Sequence, residues 1–195
     1  MIAHQSLKLD SLYTLFNKDS IRITNFKFYI SNFTFLKNGQ IVFKEKNSFH
    51  LLDLKDTNSF KIHIKSPQNY TQIQFCIGID SVANSAGAMG GILDPTKGMY
   101  WTWQNGYINM KLEGTSSACK TRNNEFVYHI GGYQYPFNSL QSLIFKAVNK
   151  QNVTIGIELN KFFSDVNSNT NHTMMSPSLQ AVKLAEIFKT IFVIE

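Results

Sequence analysis

The sequence predicts an all-β protein, an antiparallel β-sandwich with one short C-terminal helix. Sixteen Phe and eight Tyr supply residues that fit strands well. Apolar and polar residues alternate in several short runs, and turn-forming residues separate those runs. At 195 residues the chain has the length of one domain with a substantial core. We therefore expect a single domain over residues 1–195.

The first strand region, residues 21–36, carries an irregularity. Its apolar residues change parity near Asn32, which predicts a β-bulge or a change of strand at that point. The pair Asn38 and Gly39 follows and is typical of a two-residue hairpin turn. An early β-hairpin is therefore expected.

Four later segments alternate apolar and polar residues with a period of two, which is typical of a strand with one solvated face. They are residues 60–65, 73–79, 108–112 and 153–159. Repeated short strands of this kind predict a sandwich or a barrel.

The periodicity changes near the C-terminus, where apolar residues recur at threefold spacing between Leu179 and Phe188. Ser176 is a suitable N-cap residue, and Pro177 suits the first position of a helix. One amphipathic helix is therefore expected to pack on the sheets. Residues 191–194 would then form either a last strand or a frayed tail.

Charge and hydropathy exclude several classes of function. The net charge is +6, but the basic residues are dispersed rather than gathered in a stripe, so nucleic-acid binding is not expected. No segment approaches the roughly 18 apolar residues of a transmembrane helix, and residues 1–10 lack the regions of a secretory signal. No nucleophile elbow or metalloprotease helix is present, so we expect a noncatalytic protein.

The two cysteines, Cys76 and Cys119, lack the close spacing of a zinc ribbon. The sequence alone leaves open whether they form a disulfide. If they do not, Cys76 in its expected strand would be a small core residue, and Cys119 in a polar loop would be an incidental thiol.

Both tryptophans lie in residues 91–114, two positions apart between glycine-marked turns. The turn residues before them predict a strand over residues 99–103, and a period of two places Trp101 and Trp103 on one face of it. Such a pair is either a surface that stacks a ligand, for example a sugar or a peptide, or a pair buried at a sheet interface.

Four side chains are candidate ligands for a soft metal: His129, His172 and Met175 as the leading set, with Met174 as a fourth. Reduced copper favours imidazole and thioether ligands. His172 and the methionines lie in a polar segment where core packing is not expected, and His129 has the opposite parity to its apolar neighbours. Each also has a structural alternative, since methionine commonly fills gaps in a core.

Asp80, Asn84 and Asp94 bracket a glycine-rich loop at residues 87–91. Their oxygen atoms could hold calcium, but hydrogen bonds that cap the loop are the favoured interpretation. The glycines are not followed by the Lys and Ser or Thr of a phosphate-binding loop.

Four motifs follow one another along the chain: GIDS at 78–81, LDPTKGMYWTWQNGYINMKLEG at 93–114, YHIGGY at 128–133 and HTMMSP at 172–177. Together with FYISN at 28–32, they resemble the MbnP-like family of copper-associated cell-envelope proteins. The resemblance implies copper binding or copper acquisition as the function. It also implies export to the periplasm or cell envelope with the leader removed, so that Met1 would be an added start.

The resemblance implies two partners, a dihaem cytochrome c peroxidase-like protein and an outer-membrane transport system. In the family, such a peroxidase can oxidise a tryptophan to kynurenine, which then helps to bind copper, and Trp101 and Trp103 are the candidates here. The copper-binding relatives place a histidine near that tryptophan, whereas Gln104 and Asn105 follow Trp103. This departure weakens the inference of copper capture from the family more than it weakens the inference of the family's fold.

Overall fold

The computed structural model of the chain describes residues 1–2, 5–65, 67–103, 106–148, 150, 152–166, 168 and 170–195. Gln104 and Asn105 lie outside the described residues. The strands are β1 (Leu12–Thr14), β2 (Ser20–Lys37), β3 (Gln40–Lys44), β4 (Phe49–Asp53), β5 (Gln72–Ile77), β6 (Tyr100–Trp101), β7 (Gly106–Ser116), β8 (Glu125–Gly131), β9 (Gln141–Lys146), β10 (Ile155–Ile157), β11 (Thr173–Met174) and β12 (Phe192–Ile194). The α-helices are α1 (Ser81–Ser85), α2 (Leu159–Asp165) and α3 (Leu179–Lys189).

Ten of these strands form one curled sheet built around the long strand β2. The order along the sheet is β11-β8-β7-β2-β5-β9, while β1, β3 and β4 also pair with β2, and β6 pairs with β7. The pairings are antiparallel apart from that of β11 with β8, which is parallel. β10 and β12 form a separate antiparallel pair. The predicted antiparallel, sheet-rich class is confirmed.

The predicted irregularity in β2 is confirmed at Asn32. This residue has a φ of +57°, and the register of β2 with β5 shifts between Ser31 and Thr34. The bulge reverses the parity of the strand, so Phe28 before it and Phe33 after it reach the same core. The hairpin turn that follows β2 has the predicted positive φ at both central positions.

The expected strand over residues 60–65 is wrong. Thr57–Phe60 is a 3-10 helix, because the Asp56 side chain accepts from the Asn58 N–H and starts a helical turn. Residues 61–65 still alternate between exposed and half-buried. The alternation therefore predicted which side chains face the core, but not strand pairing.

The expected C-terminal helix is confirmed as α3, although it starts later. Its N-cap is Ser178 rather than Ser176, because the Ser178 hydroxyl accepts from the Ala181 N–H at 3.0 Å. The expectation of a single helix is corrected by α1 and α2. The second of these begins at Leu159, where the strand expected over residues 153–159 was to end. The C-terminal residues form the strand β12 rather than a frayed tail.

Two apolar clusters lie on opposite faces of the sheet, since neighbouring residues of a strand point to opposite sides. Phe28 belongs to the larger cluster, the inner core, which α2 and α3 cover. Tyr29 belongs to the smaller one, the outer cluster, which consists of Tyr29, Ile79, Ala83, Leu93, Met99, Trp101, Tyr107 and Ile108. None of the helices in the described ranges is both long and apolar enough to cross a membrane.

Both cysteines are free. Cys119 is buried in the inner core, which corrects its interpretation as an incidental loop thiol. Burial raises the pKa of each thiol, so both are poor nucleophiles at neutral pH.

Candidate ligand site beside two tryptophans

Residues 78–103 fold across the outer face of the sheet and carry most of the outer cluster. Two buried asparagines position this segment. The Asn84 amide donates to the Ile79 carbonyl at 2.9 Å, and its oxygen accepts from the Tyr107 N–H at 2.8 Å. The Asn109 oxygen accepts from the Ile79 N–H at 2.9 Å. These directional bonds fix the segment to β7.

The acidic residues of this segment act as caps. Asp80 accepts from the Ala83 N–H at 2.9 Å at the start of α1 and from the Asn32 amide at 3.1 Å. Asp94 accepts from the Thr96 N–H and hydroxyl at 2.8 and 2.6 Å. These hydrogen bonds lower the pKa of Asp94. The contacts agree with loop capping, the favoured interpretation of Asp80, Asn84 and Asp94, rather than with a calcium site.

Trp101 and Trp103 lie together, with ring centroids 5.9 Å apart and planes at 46°. Their environments differ, because Trp101 is 6% exposed and Trp103 is 61% exposed. The strand expected over residues 99–103 is only β6, which ends at Trp101, so Trp103 stands in the following turn. Both alternatives drawn from the sequence are therefore represented: one indole is buried, and the other faces solvent.

The glycine pair of the YHIGGY motif receives the buried indole. A Cβ on Gly131 would lie 2.6 Å from a ring carbon of Trp101 and equally close to the Tyr107 carbonyl. A Cβ on Gly132, whose φ is +117°, would overlap the Phe137 carbonyl. Only glycine lets the Trp101 ring pack directly on the backbone of β8 at this point.

A cavity of about 400 Å³ opens between these elements, and we call it the Trp101 groove. Three of the four sequence motifs contribute to it, at residues 93–114, 128–133 and 172–177. Its lining consists of Trp101, Trp103, Gly106, Gly132, Tyr133, Gln134, Phe137 and Pro177. The sequence interpretation missed Tyr133, Gln134 and Phe137, although the glycine pair beside them was a signal of close packing.

His129 lies on β8, two residues before the glycine that contacts the Trp101 ring, and is only 8% exposed. Its Nε2 is 2.5 Å from Glu113 Oε1, and the other oxygen of Glu113 accepts from the Asn25 amide at 3.0 Å. The bond from His129 is the main reason that the pKa of Glu113 falls to about 2. Two residues along a strand span about 7 Å on one face, so His129 and the backbone at Gly131 that carries the Trp101 ring are neighbours.

His129 and His172 lie on neighbouring segments of the sheet, and their rings have different contacts. β8 lies between β7 and β11 in the sheet, and the His129 ring contacts β7 through Glu113. His172 stands beside β11 on the other side, where its carbonyl accepts from the Val127 N–H at 2.8 Å. Its Nδ1 lies 3.1 Å from Thr173 Oγ1. The described contacts of the two imidazoles are thus separate: Glu113 for His129 and Thr173 for His172.

The two methionines also separate. Met174 pairs in register with buried Tyr128 and packs against the inner core, where its sulfur accepts from the Ser178 hydroxyl at 3.3 Å. Met175 follows β11 and is half exposed, and strand alternation directs it away from Met174. Met174 is thus a core residue, while Met175 is the thioether on the side of His129.

Among the described residues, no group of three or more His, Cys, Asp or Glu side chains is placed to hold a metal ion. A soft metal at His129 would therefore depend on thioether or aromatic neighbours for its remaining ligands. His129 itself fits such a role, because histidines that bind metals commonly hold a carboxylate through their other ring nitrogen.

The chain matches the sequence model of the MbnP family over residues 1–177. Its fold is similar to that of MbnP from Methylosinus trichosporium, with a TM-score of 0.63, over 93% of this chain and 83% of that protein. The two share 12% sequence identity, so this likeness concerns the fold alone. No curated protein matches the chain by sequence.

Proposed function

Because the chain belongs to the MbnP family, we propose that it is a noncatalytic copper-binding protein of the periplasm or cell envelope that acts in copper acquisition. Export with removal of a leader and delivery to an outer-membrane transport system are parts of this proposal. The single observation that carries it is the contact of His129 with Glu113, two residues along β8 from the glycine that packs against Trp101.

His129 would be the principal copper ligand. With Nε2 donating to the ionised Glu113, Nδ1 is the ring nitrogen that would face the ion, and the carboxylate would fix both the tautomer and the ring orientation. Met175, which is half exposed, supplies the candidate thioether. Copper in its reduced state would act here as cargo, a soft ion that suits imidazole and sulfur.

Titration of the protein with reduced copper under anaerobic conditions tests this function. We expect His129→Ala to weaken binding at least about tenfold, and His172→Ala to leave it unchanged because His172 lies across β8. His63→Ala, at an exposed position, is the matched control. Equal affinity in the wild-type protein and in the His129→Ala variant would remove the proposal.

A second candidate function is that of a redox partner or substrate of a dihaem peroxidase. The exposure of Trp103 supports it, because the oxidising centre of a partner can approach an indole at the surface. The Trp103 ring also lies 5.9 Å from the Trp101 ring. Conversion of indole to kynurenine replaces one carbon by one oxygen. Intact-mass measurement on protein from its native host, with Trp103→Phe as control, would detect that change, and an unmodified mass would count against this function.

A third candidate function is that of an aromatic binding module. The Trp101 groove offers two indoles and Tyr133 as stacking surfaces, which suits a planar ring, a sugar or a peptide. Quenching of tryptophan fluorescence by such ligands, lost in Trp103→Ala, would support it. If no ligand quenches the wild-type protein, this function fails.

A further inference from the structure

A second cavity lies within the inner core and shares no lining residue with the Trp101 groove. Its volume is about 200 Å³, which exceeds the roughly 150 Å³ apolar cavity that is known to accept benzene. Most of its lining side chains are apolar, while Tyr70, Lys150 and backbone atoms contribute polar surface; the lining residues are Ile30, Phe33, Phe35, Leu52, Phe60, Ile62, Ile64, Tyr70, Ile73, Phe75, Lys150, Val153, Ile155, Ile157 and Phe192. We call it the inner-core cavity.

The cavity is elongated. Its lining includes Ile30 and Phe35 of the same strand, and these two residues are about 15 Å apart along β2. Residues 61–65 form one wall in which Ile62 and Ile64 are half-buried while their neighbours are exposed. An apolar chain fits such a shape better than a compact ring does.

Among the described residues that line the cavity, one side chain is charged, and it is cationic. Tyr70 is buried and donates its hydroxyl to the Lys150 carbonyl at 2.6 Å, so the backbone at Lys150 is fixed to the wall. The Lys150 side chain is itself exposed, and its ammonium donates to the Glu195 backbone oxygen at 3.2 Å. Lys61 and Lys65 are exposed on the adjacent segment. The cationic side chains near the cavity are thus Lys150, whose ammonium already contacts the acidic residue Glu195, and the exposed Lys61 and Lys65.

We propose that the inner-core cavity binds a single-chain carboxylate, a fatty acid whose chain lies along β2 and whose head group pairs with Lys150. An ion pair at the mouth leaves the carboxylate hydrated, while the chain replaces water on apolar walls. This site is separate from the Trp101 groove and does not depend on copper.

Isothermal titration of the full chain with a series from hexanoate to decanoate tests the apolar part of the site. Each added methylene should strengthen binding about fourfold until the cavity is filled, because burial of one methylene is worth about 0.8 kcal/mol. Ile64→Trp should abolish binding by filling the cavity, with circular dichroism confirming its fold. No binding of decanoate, or unchanged binding in Ile64→Trp, overturns the proposal.

Lys150→Met tests the head-group contact without disturbing the core. We expect it to weaken decanoate binding about tenfold and to leave decanol binding unchanged. Lys146→Met, at an exposed lysine of β9 outside the lining, is the matched control and should change neither. Equal decanoate affinity in Lys150→Met and Lys146→Met would overturn the assignment of a carboxylate.

Discussion

The inner core and the outer cluster lie on the two faces of one sheet, yet they are built differently. On the inner face, the Phe28 ring packs edge-on against Phe188 and Phe192, with ring centroids 5.5 and 5.8 Å apart. The complementary volume and shape of the side chains stabilise this core. On the outer face, the buried Asn84 amide fixes residues 78–103 to β7, and Gly131 makes room for the Trp101 ring. Directional bonds fix positions more narrowly than apolar contact does, which makes the outer face the suitable one for a site.

The largest effect should come from the inner core. Phe28→Ala removes a fully buried ring that contacts four other aromatic rings, and we expect a loss of about 3–5 kcal/mol in the free energy of unfolding. Urea denaturation measures it. Ile144→Ala, at an exposed position, should cost little, and similar losses in both variants would break the contrast between the two regions.

A smaller and more local loss should follow from Asn84→Ala. The change leaves the Tyr107 N–H and the Ile79 carbonyl without their partner, so we expect about 3 kcal/mol. Hydrogen exchange should quicken in residues 78–103 and remain slow in β2 and β5. The exposed Asn123→Ala is the control. Uniformly faster exchange would mean that the outer segment is not an independent unit.

Gly131→Ala should cost about 2 kcal/mol, because its Cβ would collide with the Trp101 ring. The displaced indole should also shift the tryptophan emission toward longer wavelengths. Gly90→Ala is the matched control, since nothing lies within 4 Å of the Cβ it would gain. Unchanged emission in Gly131→Ala would contradict the described packing of Trp101 on β8.

The smallest expected effect concerns pH in the metal-free protein. The pKa of Glu113 is lowered from 4.5 to about 2 in the fold, so its contribution to stability is present above 4.5 and is lost as the pH falls through 2. Because its side chain is 28% exposed, we expect only about 1 kcal/mol. Stability measured from pH 5 to pH 2 should fall less in Glu113→Gln. An equal fall would show that Glu113 is not held by His129.

The sequence predicted the parts of the fold that depend on local chemistry. The bulge at Asn32, the turn at Gly39 and the helix near Ser178 follow from parity, turn residues and caps. Residues 60–65 were misassigned because alternation reports which side chains are buried, whereas strand pairing depends on a neighbour that one sequence does not name.

The candidate site was predicted only in part. The tryptophans and the YHIGGY motif indicated the region where the Trp101 groove lies, since rare large residues and paired glycines mark close packing. Glu113 was missed because its contact with His129 joins residues of different strands. His172 was grouped with His129 because a polar loop has no visible parity, and the pairing of β11 with β8 could not be seen in the sequence.

An anomalous-scattering map of crystals loaded with reduced copper tests the proposed function most directly. We predict a peak at Nδ1 of His129, on the face of β8 that carries Trp101. A peak at His172 with none at His129 would contradict the assignment. A crystal that contains bound copper but shows no peak along β8 would contradict it as well.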